Sequence, residues 1–149
     1  MIRLTPHFTL EELTVSETAA RMGWGNQPDE RAITNLQRLA KLLEAVKTLL
    51  GGKPIMVSSG YRSKLVNDAV GSKDTSQHRI GCAADIKVPG MTPQQVVKAI
   101  VASDIPYDQI IVEFDAWTHI SVPSIETAKP RKQALVINKR GTFMFPQEE

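Results

Sequence analysis

From residue 29 the chain reads DERAITNLQRLAKLLEAVKTLLGG, with apolar side chains at Ile33, Leu36, Leu39, Ala40, Leu43, Val46 and Leu50. That spacing stays close to a 3.6-residue period and predicts an amphipathic helix. Lys47 interrupts the stripe at its edge, where its stem can lie on the apolar face while its charge reaches water. Gly51 and Gly52 end the helix. A second helix is predicted in MTPQQVVKAIVASD, with Thr92 as N-cap, Pro93 in the first turn and Val96, Val97, Ile100 and Val101 as its buried stripe. At the N-terminus, Thr9 ahead of Glu11 and Glu12 is a helix-start signal, with Phe8, Leu10 and Leu13 as an apolar anchor. WGNQPDE is a breaker-rich loop.

The remaining apolar runs are short. Ile55 to Ser58 reads as a buried strand leading into a turn at Gly60, SKLVNDAVG as a helical turn ending at Gly71, and SKDTSQH as a polar loop. CAADIKV, YDQIIVEF and WTHISV read as strands, the last two joined by a tight turn at Asp115 and Ala116. KQALVINKRGTFMF is a final hairpin or tail. Helices come first, then strands interrupted by one helix. This order predicts an α+β fold, a small antiparallel sheet packed against N-terminal and central helices. No repeat, low-complexity tract or linker divides residues 1–149, so one domain is expected.

Composition narrows the function classes. Apolar residues make up 42% and charged residues 23%, an ordinary globular balance. A chain of 149 residues buries about two thirds of its unfolded surface and needs no disulfides. Cys82 is the single cysteine, which excludes an internal disulfide and a Cys-rich zinc finger. A net charge of +2 is too weak to argue for a nucleic-acid partner, and aromatics at 5% are too few for a base-stacking surface. The basic residues Lys129, Arg131, Lys132, Lys139 and Arg140 read as a solvated face. The opening residues lack the basic and apolar regions of a signal peptide, and no apolar run is long enough to span a membrane. Synthesis in the cytoplasm without membrane insertion is therefore expected, with monomer as the default state.

The candidate chemistry lies in SQHRIGCAADI and WTHIS. His78, Asp85 and His119 are donors of the types zinc takes, and residues on neighbouring strands about 4.8 Å apart can converge on one ion. Three protein ligands leave a fourth position open, the layout of a catalytic site. Glu113 is the candidate base across the turn from His119, with Asp115 as its competitor. Spacing alone leaves a second reading open, in which both histidines make ordinary polar contacts. Asp85 stands out more, because an acid amid CAADIKV is costly to bury unless paired or metal-bound.

These residues also form a pattern. SSGYRS at 58–63, Asn67, Gly71, then S-x-H-x-x-G-x-A-x-D at Ser76, His78, Gly81, Ala83 and Asp85, and finally W-x-H at Trp117 and His119, resemble the M15 zinc peptidases. That family comprises D-Ala-D-Ala carboxypeptidases and L-alanyl-D-glutamate endopeptidases of phage lysins. The similarity runs from about Phe8 to Ser121, and FTLEELT and NLQRLAKLLEAVK resemble its small phage and prophage members. The resemblance implies a Zn²⁺ ion held by His78, Asp85 and His119 and a peptidoglycan stem-peptide substrate. It implies that Arg62 binds a substrate carboxylate or steadies an oxyanion. Ser76 and Asn67 orient the loop or touch substrate, and Trp117 walls the cleft or packs in the core. Many members carry the catalytic glutamate three residues before the last histidine, where this chain has Ala116. The spacing from Glu113 to His119 instead resembles the Hedgehog signalling domain, a structural relative that keeps zinc. Two functions follow from the resemblance: a cell-wall peptidase, brought to the wall by a holin-type partner or carried in a virion, and a non-catalytic zinc module that binds wall or phage tail.

Overall fold

The computed structural model describes residues 1–146. The last three positions of the expected domain lie outside them. A short ribbon comes first, β1 (Arg3–Thr5) paired with β2 (Phe8–Thr9). Thr9 then caps α1 (Leu10–Leu13): its hydroxyl accepts from the Glu12 N–H at 3.1 Å, and Glu12 Oε1 accepts from the Thr9 N–H at 3.3 Å. This reciprocal pair is the helix start that the sequence predicts. A second short helix, α2 (Glu17–Met22), ends at Gly23. The long predicted helix is α3 (Glu30–Leu49), capped by Asp29 accepting from Ala32 N–H at 2.8 Å. Gly51 and Gly52 take φ of 74° and 85° and turn the chain away. Lys47 reaches past the end of α3 and donates to the carbonyls of Gly52 and Lys53.

The rest of the chain builds one sheet. β3 (Met56–Ser59), α4 (Lys64–Ala69), a 3₁₀ turn at Gln77–Ile80 and β4 (Ala83–Lys87) follow in order. Next come α5 (Pro93–Val101), β5 (Gln109–Glu113), β6 (Trp117–Ser121), β7 (Gln133–Asn138) and β8 (Gly141–Met144). The order across the sheet is β3-β4-β6-β5-β7-β8. Every neighbouring pair is antiparallel except β5 and β7, which are parallel. The α+β class holds. The four strands of the expected small antiparallel sheet are extended to six by the C-terminal hairpin, because the chain crosses back over residues 122–132 before β7 begins.

The sheet has two different faces, as the alternation of a strand requires. Ala84, Ile86, Ile110, Val112, Ile120 and Val136 point to one side and join Leu36, Leu39, Leu43 and Val46 of α3 and Val96, Val97 and Ile100 of α5 in the core. Thr92 caps α5 with Pro93 in its first turn, as expected. Val101, expected in the buried stripe of α5, is 44% exposed, since it sits one residue past the core-facing Ile100. Asp85, Ile111, Glu113 and His119 point to the opposite side of the sheet, away from α3. Among the described residues no helix is long and apolar enough to cross a membrane.

Arg131 is exposed, as expected of the solvated basic face, but it also has a structural partner. It forks onto the buried Asp108, with Nη2 at 2.7 Å and Nε at 3.1 Å, and its backbone N–H also donates to Asp108. Burial alone would raise the Asp108 pKa, but these bonds outweigh it and hold the carboxyl below its ordinary value. The pair ties the crossing segment to the start of β5.

Candidate metal centre

Asp85 and His119 are direct cross-strand partners on β4 and β6, so their side chains leave the sheet side by side. His78 comes from the 3₁₀ turn Gln77–Ile80. Ser76 Oγ accepts from the His78 N–H at 3.3 Å, and Gly81 closes the turn at φ 81°. A Cβ on Gly81 would lie 2.7 Å from the Ala32 carbonyl oxygen, so only glycine lets the turn lie this close to α3. The donor atoms of His78, Asp85 and His119 all lie within 4.8 Å of one another, and all three residues are buried.

The protonation pattern suits a cation. His78 Nδ1 is 2.8 Å from the Gly60 carbonyl oxygen, which can only accept, so Nδ1 carries the proton. Nε2 is the ring atom that faces Asp85 Oδ1, at 3.3 Å. A backbone carbonyl behind a histidine is a common way to fix a metal-binding tautomer. His119 presents Nδ1 to the same Asp85 oxygen at 3.1 Å. Burial pushes the Asp85 pKa up, but hydrogen bonds with His119 and His78 and their charges win and hold it well below the usual carboxylate range. Asp85 is thus an anion at neutral pH between two imidazoles, a donor set that fits Zn²⁺.

Gly60 is fixed by space. A Cβ there would lie 2.2 Å from the Leu13 carbonyl oxygen, a backbone atom that cannot step aside. Gly60→Ala is therefore expected to destabilise the protein by about 3 kcal/mol, the upper end of overpacking costs. Urea denaturation checks this, and an unchanged midpoint would refute it. The next loop residue, Tyr61, donates its N–H to that same Leu13 oxygen at 2.8 Å. Asn26 clamps the loop from outside: its amide donates to the carbonyls of Thr14 and Tyr61 and accepts from the Ser63 N–H. Nothing in WGNQPDE singles out Asn26, because all three of its partners are backbone atoms brought in by the fold.

Two further charged groups flank the cluster, and a third lies in the nearby turn. Arg62 places Nη2 3.6 Å from Asp85 Oδ2 and donates through Nε to Ser59 Oγ at 3.2 Å. Burial lowers the Arg62 pKa, opposed by the charges of Asp85 and Glu113. Glu113 Oε1 is 3.8 Å from His119 Nδ1. Burial raises the Glu113 pKa above its ordinary value, and the Asp85 charge adds to this, while His119, Trp117 and Arg62 oppose it. Asp115 lies in the turn at φ 54°, and its carboxylate accepts from the Gln94 side chain on α5. Of the two expected acids, Glu113 is the one brought to the cluster.

The expected substrate contacts divide. Asn67 is fully buried, and its amide donates to the Lys73 carbonyl at 2.9 Å, so it shapes the loop and offers no surface to a substrate. The half-buried Ser76 spends its hydroxyl as the acceptor that starts the His78 turn. Trp117 lies outside the core: it pairs across the strands with Glu113 and walls a cavity. Its buried indole N–H lies close enough to Glu113 to hold that carboxyl's pKa down, but completes no hydrogen bond among the described residues. Cys82 is a buried core residue, as expected. Gln77 was not singled out by sequence. It donates to Asp108 at 3.0 Å and to the Val122 carbonyl at 3.1 Å, bracing the turn that carries His78, and its place beside that histidine was the available signal.

No curated protein matches the chain. A family model does: that of Peptidase M15 matches residues 6–121, which include Arg62, His78, Asp85, Glu113 and His119.

Proposed function

The chain belongs to the peptidase M15 family, and on that premise we propose that it hydrolyses peptide bonds in peptidoglycan stem peptides, with Zn²⁺ held by His78, Asp85 and His119. The observation that carries this reading is the convergence of those three donors within 4.8 Å beside one further carboxylate, Glu113. When bound, zinc supplies a Lewis acid that makes water acidic near neutral pH and polarises a carbonyl.

The chain's own residues supply the rest. Glu113, on the same face one cross-strand row from His119, takes a proton from the attacking water and returns it to the leaving amine. Ionised Asp85 holds both imidazoles in place. Arg62 uses only part of its five-donor fork on Asp85 and Ser59, and its remaining N–H groups steady the developing oxyanion or hold a substrate carboxylate. Glu113 thereby does the work of the glutamate that the commoner pattern puts where Ala116 stands. The wall peptide is the proposed partner, reached with a membrane-permeabilising protein or from a virion, and monomer is the proposed state.

Purified peptidoglycan digested with the zinc-loaded protein, beside a chelated control, tests this. New fragments that need zinc are expected, and their masses decide between a carboxypeptidase and an endopeptidase. Unchanged sacculi from folded, zinc-loaded protein would overturn the proposal in favour of a non-catalytic wall- or tail-binding module.

A further inference from the structure

Gln77 opens the 3₁₀ turn and stands immediately before His78. Its amide has two N–H donors and three acceptors within reach: Asp108 Oδ2 at 3.0 Å, the Val122 carbonyl at 3.1 Å and Ser124 Oγ at 3.2 Å. Val122 directly follows β6, the strand that bears His119. The main chain makes a second link to the same place. The Gln77 carbonyl accepts from the Cys82 N–H at 2.9 Å, and the Cys82 carbonyl accepts from the Val122 N–H at 2.9 Å. Side chain and backbone of Gln77 thus both tie the turn of His78 to the end of the strand of His119.

Asp108 holds the amide from behind. It is buried just before β5, where its N–H donates to the Ser121 carbonyl at 2.8 Å. Its Oδ2 accepts from Gln77 and also from Arg131 Nη2 and Nε, so the guanidinium fixes the oxygen that Gln77 meets. Val122, Ser124 and Arg131 all come after the residues that the family model matches, 6–121. The turn of His78 is therefore braced by chain that the family match does not cover.

The position is not optimal for stability. Gln77 Oε1 is buried with no partner among the described residues, a cost that an apolar side chain would not carry. What the amide supplies is placement. The His78 and His119 rings meet edge to face with centroids 5.0 Å apart. Zinc–nitrogen bonds are about 2.0–2.1 Å long, so a small shift of one imidazole against the other weakens the site.

We propose that Gln77, anchored by Asp108 and Arg131, is a positioning residue of the metal centre. It fixes where His78 stands relative to His119 and thereby sets the affinity and geometry of the bound ion. The assignment rests on the zinc-ligand reading above. Gln77 acts through His78 and not on the substrate.

Zinc affinity, measured by competition with a chromophoric chelator, and the visible absorption of the cobalt-loaded protein test this. Gln77→Met keeps the length of the side chain and removes both its donors and its unpartnered acceptor. It is expected to bind zinc about tenfold more weakly, the low end of the loss from an outer partner of a ligand. Arg131→Ala, a change at an exposed side chain, is expected to weaken zinc binding by less. The cobalt bands, which follow ligand geometry, are expected to shift in Gln77→Met. Val46→Ala, in the core face of α3, is the control: it lowers the melting temperature and keeps wild-type zinc affinity and cobalt bands. Wild-type affinity or unchanged bands in Gln77→Met, or the same loss in Val46→Ala, would overturn the role and leave the peptidase reading standing. Loss in Gln77→Met with none in Arg131→Ala would keep the role of Gln77 and remove Arg131 from it. A wild type that binds no zinc, or zinc that survives Asp85→Ala, would overturn the ligand set and this role together. Zinc affinity that depends on Gln77, without cleavage of peptidoglycan, supports the role and removes the proposed hydrolysis.

Discussion

Asp85→Ala is expected to give a folded protein that no longer holds one zinc per molecule, and with it no zinc-dependent hydrolysis. Asp85 is the hub of the cluster: its Oδ1 meets His119 Nδ1 at 3.1 Å and His78 Nε2 at 3.3 Å, and its Oδ2 faces Arg62 at 3.6 Å. Alanine removes the cluster's only carboxylate ligand and the charge that balances a dication. It also leaves Arg62 without its closest anion. Losing an outer partner of a metal ligand costs about 10–100-fold in affinity, and losing a ligand costs more. The fold should survive, because the Asp85 side chain points away from the core formed with α3. Metal analysis after dialysis against buffered zinc checks the stoichiometry, and circular dichroism checks the fold. Full zinc occupancy in a folded variant would refute the ligand set, and His78→Ala should behave in the same way.

Glu113→Gln separates catalysis from metal binding. It is expected to keep zinc and lose about 10²–10⁴-fold in turnover, the usual worth of a positioned base. Asp115→Asn should stay close to wild type, since that carboxylate is bound to Gln94 in the turn. Near-normal turnover by Glu113→Gln would give the role to another group. The sign of the pH effect follows from burial. Glu113 is raised above 4.5 in the folded protein, first by burial and then by the Asp85 charge. Its contribution to stability is therefore fully present below its unfolded value and lost as pH rises through its folded value. At neutral pH the buried carboxylate is a cost, so metal-free Glu113→Gln should melt no lower than the metal-free wild type at pH 7.

The sequence made some of this arrangement legible and hid the rest for physical reasons. The stripe of α3 and the Thr92–Pro93 start of α5 are local signals, and both appear where the residues place them. Asp85 was conspicuous because an acid within an apolar strand calls for a partner. Spacing could not unite it with His119, 34 positions away; the family pattern did, and the register of β4 with β6 sets the two side by side. Gly60 read as an ordinary turn glycine, because the Leu13 carbonyl that forbids a side chain comes from a distant helix. The fork of Arg131 on Asp108 was hidden in the same way. The alternation in QALVIN marks a strand but carries no direction, so the parallel pairing of β7 with β5 was not readable.

That parallel pairing bears on how the protein is made. On one side β5 meets β6, which follows within a tight turn, but its other edge waits for β7, about twenty residues later. At ribosomal speeds of about 5–20 residues per second the wait is roughly one to four seconds. For that time Ile110, Ile111 and Val112 belong to an open strand edge, the kind on which nascent chains stick to one another. Glu113 closes this edge: it pairs with Ile137, and the next N–H, from Phe114, donates to the Ile137 carbonyl. The strand that bears the proposed base thus gains its second neighbour only once residues 133–138 have been synthesised.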